Sequence, residues 1–391
     1  MITAIPLPSM SAPQNTPPDG KPSDPFWEAL PNTSIVPGVA RDSGEAPVPS
    51  PAPPTRRPRA KDYIEGVLAG NRAMLARAIT LIESAAPGQA ALAQEVLTAL
   101  LPHAGKARRI GISGVPGVGK STFIEALGQR LCGEGHRVAV LAVDPSSTRT
   151  RGSVLGDKTR MEQLSREANA FIRPSPSGGV LGGVAQRTRE SVLLCEAAGF
   201  DVVIVETVGT GQSETAVRSM VDFFLLLLLP GGGDELQGIK KGIVELADAL
   251  LINKAEEPHR LRALETRNHY AAAQRYLRAE NPHWQPQIAL CSALADEGIG
   301  ECWEMIGHFY ETMATDGRLE TMRAEQKRQW LHELLRAELI ERFYQDPARR
   351  EAIAACDRGL AEGELTVREA LARLLEDSPH PNPKLNPDPS C

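Results

Sequence analysis

Several features common in other protein classes are missing from these 391 residues, and each absence excludes a class. The six cysteines are scattered without a CxxC pair, which argues against a zinc ribbon and for a reducing cytoplasm. The longest apolar run, residues 223–229, is less than half as long as a membrane-spanning helix. Acidic residues outnumber basic ones, 49 to 43, so no overall basic field attracts nucleic acid. The opening MITAIPLPSM has neither a basic region nor a continuous apolar core, and we expect no secretory signal.

Proline content and apolar periodicity divide the chain into five predicted segments. About half of the 31 prolines precede Arg59, in a stretch that buries too little apolar surface to fold. Apolar residues recur every three or four positions from Lys61, with a break at Gly88, and again from Gly300 to about Glu376, which predicts helices. The segments are a disordered proline-rich arm (1–58), an N-terminal helical segment (59–105), a central domain (106–315), a C-terminal helical region (316–376) and a loose tail (377–391). The C-terminal helices either cover the sheet or form a dimerisation arm.

Short β-branched runs alternate with helical segments in the central domain. The runs are RIGIS, RVAVLAVD, FDVVIVET, FFLLLLL, ALLINK and QIALCSA. Apolar strands that alternate with helices predict an α/β fold, in which helices cover both faces of a mostly parallel sheet. Ligands of such sheets bind at the carboxyl ends of the strands. The loops after these runs are therefore where a functional site is expected.

The loop after the first run matches the phosphate-binding pattern GxxxxGK[ST] of P-loop NTPases. The matching residues are Gly114, Val115, Pro116, Gly117, Val118, Gly119, Lys120, Ser121 and Thr122. Glycines let the backbone approach phosphate without a Cβ clash, and the helix that begins here turns its positive dipole end towards the anion. Lys120 is expected to reach the β- and γ-phosphates of a nucleoside triphosphate, and the Ser121 hydroxyl to bind Mg²⁺.

Carboxylates follow several of the predicted strands at the edge where the phosphates should lie. Asp144 ends the second run, Asp157 lies in the loop beyond it, and Glu206 closes a later run. With Ser121 they are the predicted Mg²⁺ ligands, although Mg²⁺ keeps several waters and need not contact all three carboxylates. The alternative for each carboxylate is an ordinary helix cap or turn residue.

The segment Glu206-Thr-Val-Gly209 has the layout of the DxxG turn of GTPases, whose glycine N–H contacts the γ-phosphate. In many GTPases a glutamine follows that glycine directly and orients the attacking water. Here Thr210 takes that position and Gln212 lies two residues further on, so we expect slow intrinsic hydrolysis that a partner accelerates. The predicted catalytic residues are Lys120, Glu206, Gly209 and Gln212.

Two more strand-end motifs predict recognition of guanine. The residues concerned are Asn253, Lys254 and Glu256, followed by Ser292, Ala293 and Leu294. The first three differ by one residue from the NKxD motif, whose aspartate accepts hydrogen bonds from the guanine N1–H and exocyclic amine. Glu256 presents the same two oxygens on a longer stem. The second three correspond to the loop beside the base in GTPases. Their order after the phosphate loop favours GTP or GDP over adenine nucleotides.

The ordered set of motifs resembles the MeaB/ArgK family over roughly residues 60–345. The matching blocks are GVPGVGKST, DPSSTRT, GDKTRM, SGGVLGG, ETVGTGQSE, FFLLLLLPGGGDELQGIKKGI, NKAE and SAL. The resemblance implies a homodimeric GTPase that acts as chaperone of an adenosylcobalamin-dependent acyl-CoA mutase of the methylmalonyl-CoA mutase type. In that role it gates cofactor loading and protects or reactivates the mutase. The resemblance also implies a further switch at residues 231–242, with Asp234, Gln237, Lys240 and Lys241.

Three other functions remain open from the sequence. A kinase, a label given to family members in lysine/arginine/ornithine transport, would need an acceptor pocket and a carboxylate base, for which no dedicated segment is evident. A metal-insertion GTPase usually carries a Cys/His cluster, whereas the eight histidines here are scattered. A scaffold with an inactive nucleotide site is opposed by the intact Lys120, Ser121 and Glu206.

Overall fold

A computed structural model describes residues 58–84, 86, 88–143, 161–174, 181–207, 213–231, 241–274 and 281–376. In these residues seven strands form one sheet in the order β3-β2-β4-β1-β5-β6-β7, and every neighbouring pair is parallel. The strands are β1 (Arg108–Gly114), β2 (Val138–Val143), β3 (Ala170–Arg173), β4 (Val202–Thr207), β5 (Phe223–Leu228), β6 (Ala249–Ile252) and β7 (Gln287–Leu290). The predicted α/β fold class is confirmed.

Strand β3 is the one strand of this sheet that the apolar runs did not predict. It has four residues, AFIR, and forms the edge of the sheet beside β2. Only its first two residues are buried. An edge strand that is covered by one neighbour needs no long apolar run, and its sequence therefore gives a weak signal.

Helices cover both faces of the sheet. The α-helices of the described residues are α1 (Ala60–Leu68), α2 (Arg72–Glu83), α3 (Gln89–Leu100), α4 (Lys120–Gly133), α5 (Glu162–Arg166), α6 (Leu181–Ala197), α7 (Ser213–Arg218), α8 (Lys241–Leu246), α9 (Arg260–Gln274), α10 (Ile299–Ala314), α11 (Arg318–Gln345), α12 (Pro347–Ala361) and α13 (Val367–Glu376). The periodicity predicted a break only at Gly88, but α1 also ends before Gly70, which has a positive φ. Asn71 then caps α2, since its Oδ1 accepts from the N–H groups of Ala73 and Met74.

An apolar core lies on each face of the sheet because the central strands are buried on both sides. Helices α1, α2, α3, α6 and α7 pack on one face, against residues such as Val203 and Phe224. Helices α4 and α10 pack on the other face, where Phe123 and Phe309 are fully buried. Helix α4, which begins just after β1, is thereby packed against the core of the sheet.

The amino-terminal edge of the sheet is held by a buried hydrogen-bonded network, which we call the anchor edge. Its centre is Asp222, fully buried directly before β5. Asp222 Oδ2 accepts from Arg109 N at 3.0 Å and Tyr310 Oη at 2.9 Å. Arg323 of α11 donates from Nε and Nη2 to the two carboxylate oxygens, at 2.8 and 2.6 Å. Burial and then the Asp222 carboxylate raise the pKa of Tyr310 well above its ordinary value. The network fixes the first turns of α11 to the sheet.

Beyond these first turns, α11 carries exposed apolar side chains. No residue of α11 is buried, and its large exposed residues are Leu331, Leu335, Leu339, Ile340 and Tyr344. A capping box precedes α13, since Thr366 Oγ1 accepts from Glu369 N and Glu369 Oε2 accepts from Thr366 N. No helix among the described residues is long and apolar enough to cross a membrane.

Candidate nucleotide-binding site

The predicted phosphate loop lies at the carboxyl end of β1, where α4 begins. A Cβ at Gly114, whose φ is 152°, would lie 2.6 Å from the carbonyl oxygen of Leu227 on β5. A Cβ at Gly119, whose φ is 95°, would lie 2.7 Å from Nδ2 of Asn253. Both contacts are shorter than real Cβ contacts, so this loop path requires glycine at both positions. The remaining loop residues, Val115, Pro116, Gly117 and Val118, lie between them, with Val118 buried and Gly117 exposed.

Hydrogen-bond donors converge on the inside of this loop. Lys120 Nζ donates to Gly114 O at 2.7 Å, which folds the ammonium back over the loop. The first N–H groups of α4 have no intrahelical acceptor, and Gly119 at the N-cap supplies no side-chain cap. The Lys120 ammonium and the positive end of the α4 dipole therefore both favour an anion at this loop, and the triphosphate of a nucleotide is such an anion. Ser121 and Thr122 follow in the first turn, partly buried and exposed respectively.

A carboxylate reaches this loop from the end of β4. Glu206 is 6% exposed, and Ser121 Oγ lies 3.5 Å from its Oε1, at the outer limit of a hydrogen bond. A hydroxyl and a carboxylate oxygen are ligands that suit Mg²⁺, so the residues present fit that ion. Four other predicted site residues lie outside the described residues, namely Asp144, Asp157, Gly209 and Gln212. Asp234, Gln237 and Lys240 of the predicted further switch lie outside them as well, as does the Lys241 side chain.

Asn253 links the phosphate loop to the predicted base loop. It directly follows β6, and its Nδ2 donates to Val118 O at 2.9 Å. Its Oδ1 accepts from Ala293 N at 3.1 Å and from Cys291 Sγ at 3.3 Å. One buried amide thus joins the loop after the central strand β1 to the loop after the edge strand β7. Because amide hydrogen bonds have fixed directions, Asn253 sets the distance between the phosphate and base positions.

Lys254 adopts a backbone conformation that side chains other than glycine rarely take. Its φ is 58°, and its Nζ donates to Gly117 O at 2.8 Å. Such conformations cost roughly 1–3 kcal/mol and persist where the surrounding contacts impose them. Here the conformation lays the aliphatic stem of an exposed lysine along the open side of the loop.

Glu256 carries an acceptor that no described residue satisfies. Its Oε2 is buried and has no hydrogen-bond partner among the residues that the structure describes. A hydrogen bond from the Ser292 hydroxyl lowers the pKa of Glu256, so the carboxylate is ionised at neutral pH. A buried acceptor without a donor is costly, and the N1–H and amino groups of guanine are donors of the right kind. The residues present therefore fit a guanine base.

The three residues of the predicted base loop differ in exposure. Ser292 and Ala293 are buried, whereas Leu294 is 83% exposed. Ser292 Oγ also accepts from Ala295 N at 3.1 Å, which closes the turn after β7. Leu294 and Ala293 line a cavity together with Thr122 of α4.

Sequence reasoning missed three residues of this edge. Burial raises the pKa of the Cys291 thiol, which stays protonated and donates to Asn253. Thr207 Oγ1 donates to Ser113 Oγ at 2.9 Å, and both side chains are buried. A polar residue at the end of an apolar strand is the only signal that the sequence offers for each of them.

The fold and the site define the class first: a glycine-rich loop between β1 and α4 of a parallel sheet is the arrangement of P-loop nucleotide-binding proteins. Residues 75–348 match the family described as methylmalonyl Co-A mutase-associated GTPase MeaB, and the chain belongs to that family. The predicted resemblance is therefore confirmed.

Individual relatives agree with this assignment. GTPase ArgK of Escherichia coli is 50% identical over 275 residues, which cover 70% of this chain and 83% of that protein. The methylmalonic aciduria type A homolog of Mus musculus is 45% identical over 321 residues, covering 80% and 77%. A crystal structure titled LAO/AO transport system kinase is 40% identical, with a TM-score of 0.68, and covers 81% of this chain and 96% of that one. The chain is thus a GTPase of the MeaB family.

Proposed function

We propose that this GTPase is a cytoplasmic chaperone of an adenosylcobalamin-dependent acyl-CoA mutase of the methylmalonyl-CoA mutase type. In this role GTP binding and hydrolysis gate the loading of the cofactor and protect or reactivate the mutase. The observation that carries the proposal is the cradle of Gly114 to Thr122, joined by Asn253 to a base loop with an unsatisfied acceptor at Glu256. The family description and the name of the mouse relative support methylmalonyl-CoA mutase as the class of client.

Each described residue has a defined task in this proposal. Lys120 and the first N–H groups of α4 hold the β- and γ-phosphates and stabilise the charge that develops during cleavage. Ser121 and Glu206 would hold Mg²⁺, which neutralises phosphate charge when bound. Glu256 accepts from the guanine edge. Gly209 as γ-phosphate sensor and Gln212 as water-positioning residue remain predictions, as do Asp144 and Asp157 as metal-linked carboxylates.

The proposal is tested by GTP hydrolysis, measured with the purified protein alone and with candidate B12-dependent mutases, with ATP as the control nucleotide. We expect slow release of phosphate from GTP alone and faster release with one mutase. A second readout is recovery of mutase activity after inactivation, with GTP and with GDP. If no mutase alters GTP hydrolysis and none is protected, the chaperone role is wrong and the GTPase assignment stands.

A kinase is the second candidate, because the solved relative carries that word in its title. Group transfer would move the γ-phosphoryl from GTP or ATP to an acceptor hydroxyl or nitrogen in place of water. The two functions differ in where the phosphate goes. Labelled γ-phosphate that appears only as inorganic phosphate in the presence of cell extract supports the GTPase chaperone, whereas stable labelling of an acceptor supports the kinase.

A homodimer formed by the C-terminal helices is part of the proposal. Leu331, Leu335 and Leu339 recur every four residues along α11, and Leu371 and Leu375 do so on α13. Single exposed leucines are ordinary, but a repeated stripe on one helix face is typical of a buried interface.

Light scattering, which gives the molar mass in solution, tests whether these C-terminal helices form a dimerisation arm. We expect Leu335→Glu to convert a dimer to a monomer, because a charge at the centre of the stripe would have to be desolvated. Leu261→Glu on α9 is the matched control, since Leu261 is also exposed but lies away from the arm. A monomeric wild-type protein, or a dimer that survives Leu335→Glu, would show that these helices serve another purpose.

A further inference from the structure

Two buried hydroxyls lie side by side below the phosphate loop. Thr207 Oγ1 donates to Ser113 Oγ at 2.9 Å, and the two side chains are 0% and 1% exposed. The residues belong to neighbouring strands, since β1 pairs with β4 and Ile112 lies opposite Glu206. Ser113 and Thr207 are the next residues in that register; Thr207 is the last residue of β4, and Ser113 is the last but one of β1.

The pair faces away from the metal-binding side of the sheet. Side chains alternate along a strand, and Glu206 points towards Ser121 of α4. The opposite face is occupied by the core around Val217 and Phe224, which a Cβ at Gly111 would contact. A hydroxyl in such apolar surroundings is costly unless it is hydrogen-bonded, and this bond gives the Thr207 hydroxyl an acceptor and the Ser113 oxygen a donor.

The hydrogen bond joins two strands that contribute to different parts of the predicted nucleotide site. Ser113 precedes Gly114, whose carbonyl accepts from Lys120 in the loop that holds phosphates common to GDP and GTP. Thr207 follows Glu206 and leads into the segment that contains Gly209, the predicted sensor of the γ-phosphate, which only GTP has. The contact therefore joins the strand that leads into the phosphate loop to the strand that carries Glu206.

We propose that Thr207 is a positioning residue for GTP hydrolysis. Its hydrogen bond to Ser113 holds the end of β4 in register with the phosphate loop, so that the Glu206 carboxylate stays beside Ser121 in the nucleotide site. This inference rests on the proposed GTP site and adds to it a residue that touches neither nucleotide nor metal. We therefore expect a selective effect. Loss of the hydrogen bond between Thr207 and Ser113 should impair GTP hydrolysis, which requires the γ-phosphate, and should leave GDP binding nearly unchanged.

The test compares Thr207→Val, which keeps the shape and removes the hydroxyl, with Thr207→Ser, which keeps the hydroxyl. For each variant, kcat and KM for GTP are measured, together with calorimetric affinities for GDP and for the slowly hydrolysed analogue GTPγS. We expect Thr207→Val to lower kcat about 10-fold, because one buried hydrogen bond is lost. GDP affinity should change less than about 2-fold by the same scale, and Thr207→Ser should restore kcat to within about 3-fold.

A purely structural role gives a different result. GDP affinity and kcat would then fall together with the unfolding temperature, or neither would change, and either outcome overturns the proposal. Thr188→Val is the matched control, since it removes a buried hydroxyl from α6. It should lower the unfolding temperature without altering the ratio of GTPγS to GDP affinity.

A second variant covers the case in which Thr207→Val does not fold. Ser113→Ala removes the acceptor from the other strand and should produce the same selective loss of kcat. Unchanged kcat in folded Ser113→Ala also overturns the proposal. The outcomes are separable from those for the proposed function, because a wild-type protein that hydrolyses GTP and ignores every mutase disproves the chaperone role and leaves the Thr207 comparison intact.

Discussion

The sheet is held differently at the two ends of its strands: the anchor edge, at their amino-terminal ends, and the carboxyl-terminal ends, which we call the phosphate edge. At the anchor edge, Asp222 receives four hydrogen bonds from three residues, and Glu196 receives Arg109 Nε at 2.7 Å and Nη2 at 2.9 Å. Arg218, at the end of α7, lies 3.2 Å from Asp248 there. Each of these contacts joins residues that lie at least 30 positions apart in the sequence.

The phosphate edge is built in another way. Its backbone turns at Gly114, Gly117 and Gly119, Lys120 Nζ folds back onto Gly114 O, and no side chain caps the first N–H groups of α4. Glu256 keeps a buried acceptor without a partner among the described residues. We infer that the anchor edge supplies the stability that lets the phosphate edge keep its polar groups available for a ligand.

The largest expected effect comes from breaking the anchor edge. Asp222→Ala leaves the buried Tyr310 and the partly buried Arg323 without their common partner, and we expect the free energy of unfolding in urea to fall by about 3–5 kcal/mol. Asp201→Ala is the control, since Asp201 is half-exposed at the same edge and accepts from Arg137 N. Its loss should cost about 1 kcal/mol. Equal losses of unfolding free energy in the two variants would show that burial of Asp222 does not increase its contribution to stability.

The second effect separates activity from stability at the phosphate edge. Lys120→Ala removes the ammonium that lies over the loop, and GTP hydrolysis should fall about 100-fold or more. Unfolding should change little, because Lys120 pairs with loop carbonyls and not with the core. The exposed Lys327 of α11 gives the control, Lys327→Ala, with unchanged hydrolysis. Near-normal GTP turnover in Lys120→Ala would show that the phosphate loop does not take part in hydrolysis.

A third effect tests the unsatisfied acceptor. Glu256→Gln replaces one carboxylate oxygen by an amide donor, so the preference for GTP over ATP in binding should fall about 10- to 100-fold. Its neighbour Glu257 is exposed and provides the control Glu257→Gln, which should keep the preference. If the Glu256→Gln protein prefers GTP over ATP as strongly as the wild type does, guanine is recognised by other residues.

The smallest effect is a pH dependence. The Ser292 hydroxyl lowers the pKa of Glu256, so the ionised acceptor is fully present above the ordinary glutamate pKa of about 4.3 and is lost only as pH falls through the lower, folded value. GTP binding should therefore be insensitive to Glu256 between about pH 8 and pH 5. In Ser292→Ala the pKa rises towards its ordinary value, and binding should weaken at a higher pH than in the wild type. Fluorescent GTP titrations measure this, and Glu256→Gln should abolish the difference.

The sequence predicted six of the seven strands described here, because buried parallel strands need long apolar runs that few other structures contain. It also predicted the phosphate loop, since glycine positions and Lys120 are forced by local chemistry. Strand β3 escaped because an edge strand tolerates a short, half-exposed run. The break between α1 and α2 escaped because Gly70 and Asn71 interrupt the helix without interrupting its apolar spacing.

Local sequence alone determined the class of this protein: a strand, a glycine loop and a helix that begins with Lys120 are contiguous, and so is the NKAE motif. Only the tertiary structure decided which side chains meet. Asn253 reaches Val118 and Ala293, Thr207 reaches Ser113, and Asp222 reaches Arg323, across separations of 135, 40, 94 and 101 residues. Strand order and register set those distances, and they depend on packing over the whole sheet rather than on any one segment.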